Sequence, residues 1–312
     1  LETARIKLER IDHGAGLLGP LDARQVALGD ITPTALPGLN RPGVERGLAI
    51  TNATVKRSRD FDTTSFEGTM LPGWDVELHQ NGNLIQSTRT GIDGRYRFED
   101  VPVYFGPNTF QLLGHGPQGQ KRVIEEKTIN VGTGMLAPGG FEYSLSASQR
   151  NDTVLGLDQY RDEEHAHGAR LNGSFGYGLN KHLSLLGGVS SLTLDDTQHT
   201  YLQAGLGASA ASVYGELDSI GDTAGGSGIA MYAQTNLGPV NLRAKHEAFS
   251  NFIDESDPDS FLESRSSLGV NGRVEPASFL PPLSLTLSRE ETAYADRETG
   301  RTSTRVSSQI KR

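Results

Sequence analysis

The side chains best suited to chemistry are few and poorly spaced for it. Glu163-Glu164-His165-Ala166-His167 places two imidazoles at i and i+2 beside two carboxylates, residue types that ligate transition metals. Asp254-Glu255-Ser256-Asp257-Pro258-Asp259 gathers the oxygen donors that calcium takes, but without the Asp-x-Asp-x-Asp-Gly spacing and with a proline in the way. Both segments read as solvated charge runs in exposed loops, the second as a repelling, mobile one. Gly205-Leu-Gly-Ala208 and Gly225-Gly-Ser-Gly228 do not complete a G-x-G-x-x-G turn between a strand and a helix, so no phosphate cradle is expected. Serines, aspartates and eight histidines are available for a hydrolytic triad, yet no G-x-S-x-G elbow is present to carry one. The reading is of a non-enzyme, with no catalytic residue, metal or cofactor.

Composition narrows the class further. Of 312 residues, 38 are acidic and 29 are Lys or Arg, a formal charge of −9, which excludes a generic basic nucleic-acid binder. No cysteine is present, so disulfide frameworks, thiolate metal sites and thiol nucleophiles are out. No apolar run approaches the ~18 residues of a membrane helix, but a β-barrel shows lipid only every second residue and is not excluded. Leu1 is not a start methionine, and the chain reads as a piece of something longer.

The elements that would position any site are strands. In 171–179, Leu171, Gly173, Phe175, Tyr177 and Leu179 share one face, with Asn172, Ser174, Gly176 and Gly178 on the other. Leu202, Leu206 and Ala208 lie opposite Gln203, Gly205 and Ser209, and Leu242 and Ala244 lie opposite Asn241, Arg243, Lys245 and Glu247. After Gly140 the alternation predicts ten strands, near 141–149, 169–179, 182–193, 200–210, 212–219, 228–237, 240–249, 263–274, 282–290 and 302–311. Their length, about nine to eleven residues, is that of a tilted bilayer-crossing strand, against about five or six in soluble domains. Long polar connections at 150–168, 194–199, 220–227, 250–262 and 291–301 alternate with short ones at 180–181, 211, 238–239 and 275–281, the rhythm of an outer-membrane barrel. A large soluble sandwich or β-solenoid also alternates and stays open, and aromatic residues at 7% make the interfacial girdles sparse. Full charges in mid-strand suit a wet lumen, faced by Gln203, Gln234, Asn241, Arg243, Lys245 and Glu247.

Residues 67–133 follow a different rhythm of shorter strands. Trp74, Val76 and Leu78 alternate with polar residues, Asn81-Gly82 supplies a hairpin turn, and Asp93-Gly94 turns the chain before Tyr96 and Phe98. Trp74, the sole tryptophan, is expected as the buried anchor of a small β-sandwich. Three further extended segments, 2–11, 22–31 and 44–56, precede it, with Pro33, Pro37 and Pro42 breaking the second connection. The expected organisation is barrel strands over 1–66, an inserted sandwich over 67–133 and barrel strands over 134–312.

Met70-Leu-Pro-Gly-Trp-Asp-Val-Glu-Leu-His-Gln-Asn-Gly-Asn-Leu-Ile85, Asp93-Gly-Arg-Tyr-Arg-Phe-Glu-Asp-Val-Pro102 and Val131-Gly-Thr-Gly-Met-Leu-Ala-Pro-Gly139 followed by Phe141-Glu-Tyr-Ser-Leu145 resemble the central part of outer-membrane fimbrial ushers and usher-like porins. Gly176-Tyr-Gly-Leu-Asn-Lys-His-Leu-Ser-Leu185 is similar to a recurring hairpin of those barrels. The resemblance implies an all-β transmembrane barrel in the bacterial outer membrane, plugged by the sandwich. It also implies lipid around the barrel, and periplasmic chaperone–subunit complexes and pilus subunits as partners in export and assembly. The segment 93–102 equally resembles carboxypeptidase-regulatory-like sandwich modules. That leaves another outer-membrane porin or transporter, a surface protein bearing such a module, or a soluble β-rich adhesin as the other readings.

Overall fold

A computed structural model describes residues 4–310, apart from 13, 15, 35, 37–38, 40–42, 54–59, 105, 132–133, 157–167, 195–196, 238–239, 254, 256–259, 275–282 and 296–300. The whole of Glu163–His167 and all of 254–259 but Glu255 lie outside the described residues.

The fold is all-β and antiparallel. Three strands come first: β1 (Lys7–Ile11), β2 (Gln25–Ile31) and β3 (Glu45–Thr51). Six follow in the middle: β4 (Asp60–Thr69), β5 (Asp75–Gln80), β6 (Asn83–Arg89), β7 (Arg95–Tyr104), β8 (Gly106–His115) and β9 (Lys121–Val131). Ten complete the chain: β10 (Phe141–Arg150), β11 (Gly168–Asn180), β12 (Leu183–Leu194), β13 (Thr197–Ala210), β14 (Val213–Asp222), β15 (Ser227–Leu237), β16 (Val240–Phe252), β17 (Leu262–Val274), β18 (Leu283–Tyr294) and β19 (Arg301–Ile310).

The outer groups form one 13-stranded sheet in the order β1-β2-β3-β10 and then consecutively to β19. β3 pairs directly with β10, so six intervening strands form an insertion within one hairpin connection. Strand pairing continues into two connections that the sequence reads as loops. β13 starts at Thr197 and β14 runs to Asp222, because Thr197-Gln198-His199-Thr200 keeps the period of two after its residues become polar.

The wall has an outward and an inward face. Leu171, Phe175, Leu185, Leu202, Leu206, Leu217, Ile229 and Met231 are exposed on five adjacent strands, β11 to β15, and register keeps their rows in phase. Gly187 lies beneath the Phe175 ring, leaving room for the aromatic to lie across the strand. Toward the rim bearing 223–226 and 253–261, outward positions become polar at Gln149, Gln198 and Ser227. On β13 the apolar stretch from Leu202 to Ala210 is about 26 Å of strand, or about 20 Å of height at a tilt of about 40°.

The insertion packs a two-stranded sheet, β4-β7, against a four-stranded one, β6-β5-β8-β9. Phe66, Val76, Leu78, Tyr96, Phe98, Val101, Val103, Phe110 and Leu112 fill the space between them. β4 pairs with β7 from Asp60 onward, so the sandwich begins before the expected boundary at 67. Asn81 and Gly82 both adopt positive φ, +52° and +82°, as the tight hairpin turn requires. Asn81 Oδ1 accepts the Thr109 amide at 2.8 Å, tying the turn to β8.

Gly94 has φ +68°, and a Cβ there would lie 2.2 Å from the Met70 carbonyl oxygen. Gly94→Val is therefore expected to destabilise the sandwich by about 1–3 kcal/mol. A urea titration followed by Trp74 fluorescence, which reports on the insertion alone, checks this.

Candidate functional site

The inward face is occupied at both rims, by different means. At the rim bearing turns 181–182 and 211–212 sits the sandwich. Its core continues through Val131 and Met135 of the returning connector to Tyr214 on β14, all of them buried, and Tyr232 stands edge-on to Tyr214 at 5.9 Å. The Leu136 amide donates to Ser184 Oγ at 2.9 Å, fixing the connector where it joins the wall. The seat is thus largely apolar, with methionine filling an irregular gap between two preformed surfaces.

The six residues expected to face a lumen lie on the inward side, and among the described residues the bonds of five of them run along the wall. Gln203 donates to Asp218 Oδ1 at 2.7 Å, and Tyr232 Oη donates to Gln234 at 2.8 Å. Asn241 donates to Asn236 at 2.8 Å, and Lys245 pairs with the fully buried Glu247 at 2.8 Å. Arg243 lines an open cleft of about 570 Å³ with Glu216, Asp218 and Tyr232. Among the described residues, Met135 and Tyr214 join the sandwich core to the wall, and Ser184 holds the connector at Leu136.

At the other rim the wall is covered by its own loops. The connection after β2 turns inward, and Leu36, 3% exposed, drops into a notch at Gly188, where a Cβ would meet its Cδ2 at 2.2 Å. Thr34 is held from two strands: its carbonyl accepts Asn172 Nδ2 at 2.7 Å, and its hydroxyl lies 2.8 Å from that of Ser144. Opposite, a register shift between Ala248 and Phe252 bends β16 inward. Phe252 then packs with Leu192, Leu194, Tyr201, Ile220 and Leu262 under Leu39 and Ile253.

Charges lock this cover. Arg170 on β11 pairs with Glu45 on β3 at 3.1 Å and with Glu255 of the β16–β17 loop at 2.5 Å, while Arg150 on β10 meets Glu255 at 2.9 Å. All four side chains are 10% exposed or less. In a flat sheet β10 and β16 would be about 29 Å apart, at about 4.8 Å per strand. Curling of the wall and the reach of the loop together bring Glu255 to the two arginines. The loop expected to be solvated and mobile is instead fixed at Glu255 inside a buried ion cluster. Neither Arg150 nor Arg170 stood out in the sequence; Phe249, Phe252, Ile253 and Leu262 flanking the acidic run were the legible sign that its two ends pack inward.

Within the sandwich, Val76, Leu78, Tyr96 and Phe98 are core residues, and Asp93 Oδ1 accepts the Arg95 amide at 3.2 Å. Trp74 is half-buried just ahead of β5, its indole lying across Gly114 and Gly116. The expected anchoring role falls instead to Phe66, Phe110 and their neighbours, because Trp74 precedes the paired strand and stays at the margin of the sheet. On the sheet's outer face, Glu77 Oε2 lies 2.9 Å from His79 Nε2 and 3.1 Å from His115 Nε2. The hydrogen bond from His79 and the charge of His115 hold the Glu77 carboxyl below the usual carboxylate range. Among the described residues no group of three or more His, Cys, Asp or Glu is placed to hold a metal ion.

Fold and site thus define an antiparallel β wall with an inserted sandwich seated at one rim and loops folded over the other. No protein-family model and no curated protein sequence matches the chain. It is similar to the solved P pilus usher (PapC) translocation pore, with 14% identity over 98% of this chain and 60% of that one and a TM-score of 0.46. It is also similar to an E. coli P pilus tip assembly intermediate, PapC-PapD-PapK-PapG, with 12% identity over 99% of this chain and 44% of that one and a TM-score of 0.46. A further usher PapC pore structure gives 13% identity over 97% of this chain and 73% of that one, with a TM-score of 0.36. The chain therefore spans less than two thirds of the length of the first two.

Arg170→Met is expected to cost about 3–5 kcal/mol by stranding Glu45 and part of Glu255 in a dry setting. Faster proteolytic cleavage within 250–262 is the accompanying sign. Glu77 contributes stability above the unfolded carboxyl pKa of about 4.3, and that contribution is lost as pH falls through its lower folded value. Glu77→Gln should therefore weaken the sandwich at pH 7, with the gap from the parent protein closing in urea titrations as pH falls below the carboxyl's folded value.

Proposed function

We propose that this chain is part of an outer-membrane β-barrel translocation channel of the usher type, in which the sandwich is a plug and the exported cargo is pilus subunits delivered by periplasmic chaperones. The observation that carries the reading is the pairing of β3 with β10 around a complete folded domain seated on the inward face. A pore wide enough for a folded protein leaks unless a body of similar size fills it, and a sandwich tethered at both ends to neighbouring strands can leave and return. The sequence resemblance of segments 70–102 and 131–145 to ushers supports the same reading.

The membrane position follows from the outward face. Its apolar stretch of about 20 Å is close to the ~25 Å band of known outer-membrane barrels. Phe141, Tyr143, Phe175 and Tyr177 cluster outward near the turn rim, level with one another in the β10–β11 register, and would mark one interface. Polar outward residues beyond the band would stand clear of lipid on the loop side. The inward polar set, Gln203, Gln234, Asn241, Arg243, Lys245 and Glu247, would line a wet lumen along which cargo passes without adhering.

Two measurements on the full-length protein test this. Its migration on a denaturing gel should change on boiling, and identical boiled and unboiled bands would overturn the barrel. In planar bilayers, deletion of 60–131 should raise conductance by an order of magnitude or more. Met135→Ala with Tyr214→Ala, each truncating the seat at about 2–5 kcal/mol, should give intermittent opening. Unchanged closed conductance in both would overturn the plug.

A further inference from the structure

A cavity of about 250 Å³ lies between the sandwich and the turn rim. Val103, Ile129 and Val131 wall it from the sandwich side, Ala211 and Ser209 from the barrel side. That volume is just below the roughly 300–1,000 Å³ of pockets for drug-sized ligands, so it has room for one or two rings or a short chain. Among the described residues its ionisable lining is Lys127, Lys181 and His182, with no acidic residue.

Lys127 is the informative one. It pairs across from Phe110 on β9 and holds its ammonium 5.6 Å from the Phe66 ring centroid, at the open flank of the sandwich core. Among the described residues no carboxylate forms an ion pair with it. Lys127 is exposed, so its ammonium is hydrated as well as set beside the aromatic face, and a cation without a carboxylate partner at the edge of an apolar cavity is half of a recognition site. His182 uses Nδ1 on the Ser209 carbonyl at 3.0 Å, which leaves Nε2 available to a second partner.

We infer that this crevice binds a small apolar carboxylate, with its hydrocarbon part between Ile129, Val131 and Ala211 and its carboxylate at Lys127. Two of its walls belong to different bodies, so the complete site exists only while the sandwich is seated. A ligand that needs both walls must by linkage favour the seated state. The crevice is therefore a regulatory site through which a metabolite or inhibitor of this class holds the plug in place. The inference rests on the seat and not on the nature of the cargo.

The probe is 2-naphthoate, with 2-naphthalenemethanol as its uncharged counterpart, measured by equilibrium dialysis against the full-length protein in lipid nanodiscs. One saturable site is expected for the acid, with the alcohol at least 10-fold weaker. Lys127→Gln should abolish that preference, and Ala211→Trp or Ile129→Trp, filling the cavity from opposite walls, should each weaken acid binding at least 10-fold. Deletion of 60–131 should remove the site altogether. Binding that survives both tryptophan variants, or acid and alcohol binding alike, overturns the inference, and so does the absence of saturable binding. Loss of the conductance response to plug deletion alone would strike at the channel reading and leave this binding site standing.

Discussion

Inside a broad β wall, each backbone amide and carbonyl that water cannot reach must find its partner in the adjacent strand. That constraint shapes the rest of the molecule. It explains a ladder that runs from β1 to β3 and on through β10 to β19, strands of up to fourteen residues, and a domain-sized insertion placed between strands, with only local register shifts such as that at Ala248–Phe252 inside them. It also explains why the chain leaves after β3, builds a complete domain and rejoins β3's own neighbour, since any other point of re-entry would leave a row of unpaired groups.

The inward face obeys different rules at its two rims. Near the turns, closure rests on shape and apolar contact through Met135 and Tyr214, which separate without leaving any charge stranded. Near the loops it rests on Arg150, Arg170, Glu45 and Glu255, a buried cluster in which removal of one member leaves the others uncompensated. The first kind of contact tolerates repeated separation and the second resists it. Between them, Gln203, Gln234 and Asn241 bond to Asp218, Tyr232 and Asn236 along the wall, and Lys245 pairs with Glu247.

Much of this was legible in the residues. Strict alternation in 171–179 and 200–210 specifies which side chains face out, because a strand has only two faces. Asn81-Gly82 and Asp93-Gly94 specify turns, since few other residue pairs tolerate their backbone angles. What escaped was long-range. Glu255 sits in a run of acidic residues whose local signature is repulsion, and its partners are 85 and 105 positions earlier in the chain. Leu36 is one leucine among prolines, given meaning only by the notch at Gly188 on a strand that the sequence does not place beside it. Trp74 misleads for a different reason: size suggests a core role, but a residue ahead of the first ladder pair has sheet on one side only.

Both ends of the sandwich connect to strands that are hydrogen-bonded to each other, through connectors 52–59 and 132–140. A domain leashed twice at so short a range has an effective concentration at its own seat on the order of millimolar or above, whatever the abundance of the protein. Were the sandwich to leave its seat as a plug must, its return would be a unimolecular event, and any agent holding it away would compete with a neighbour that cannot diffuse off.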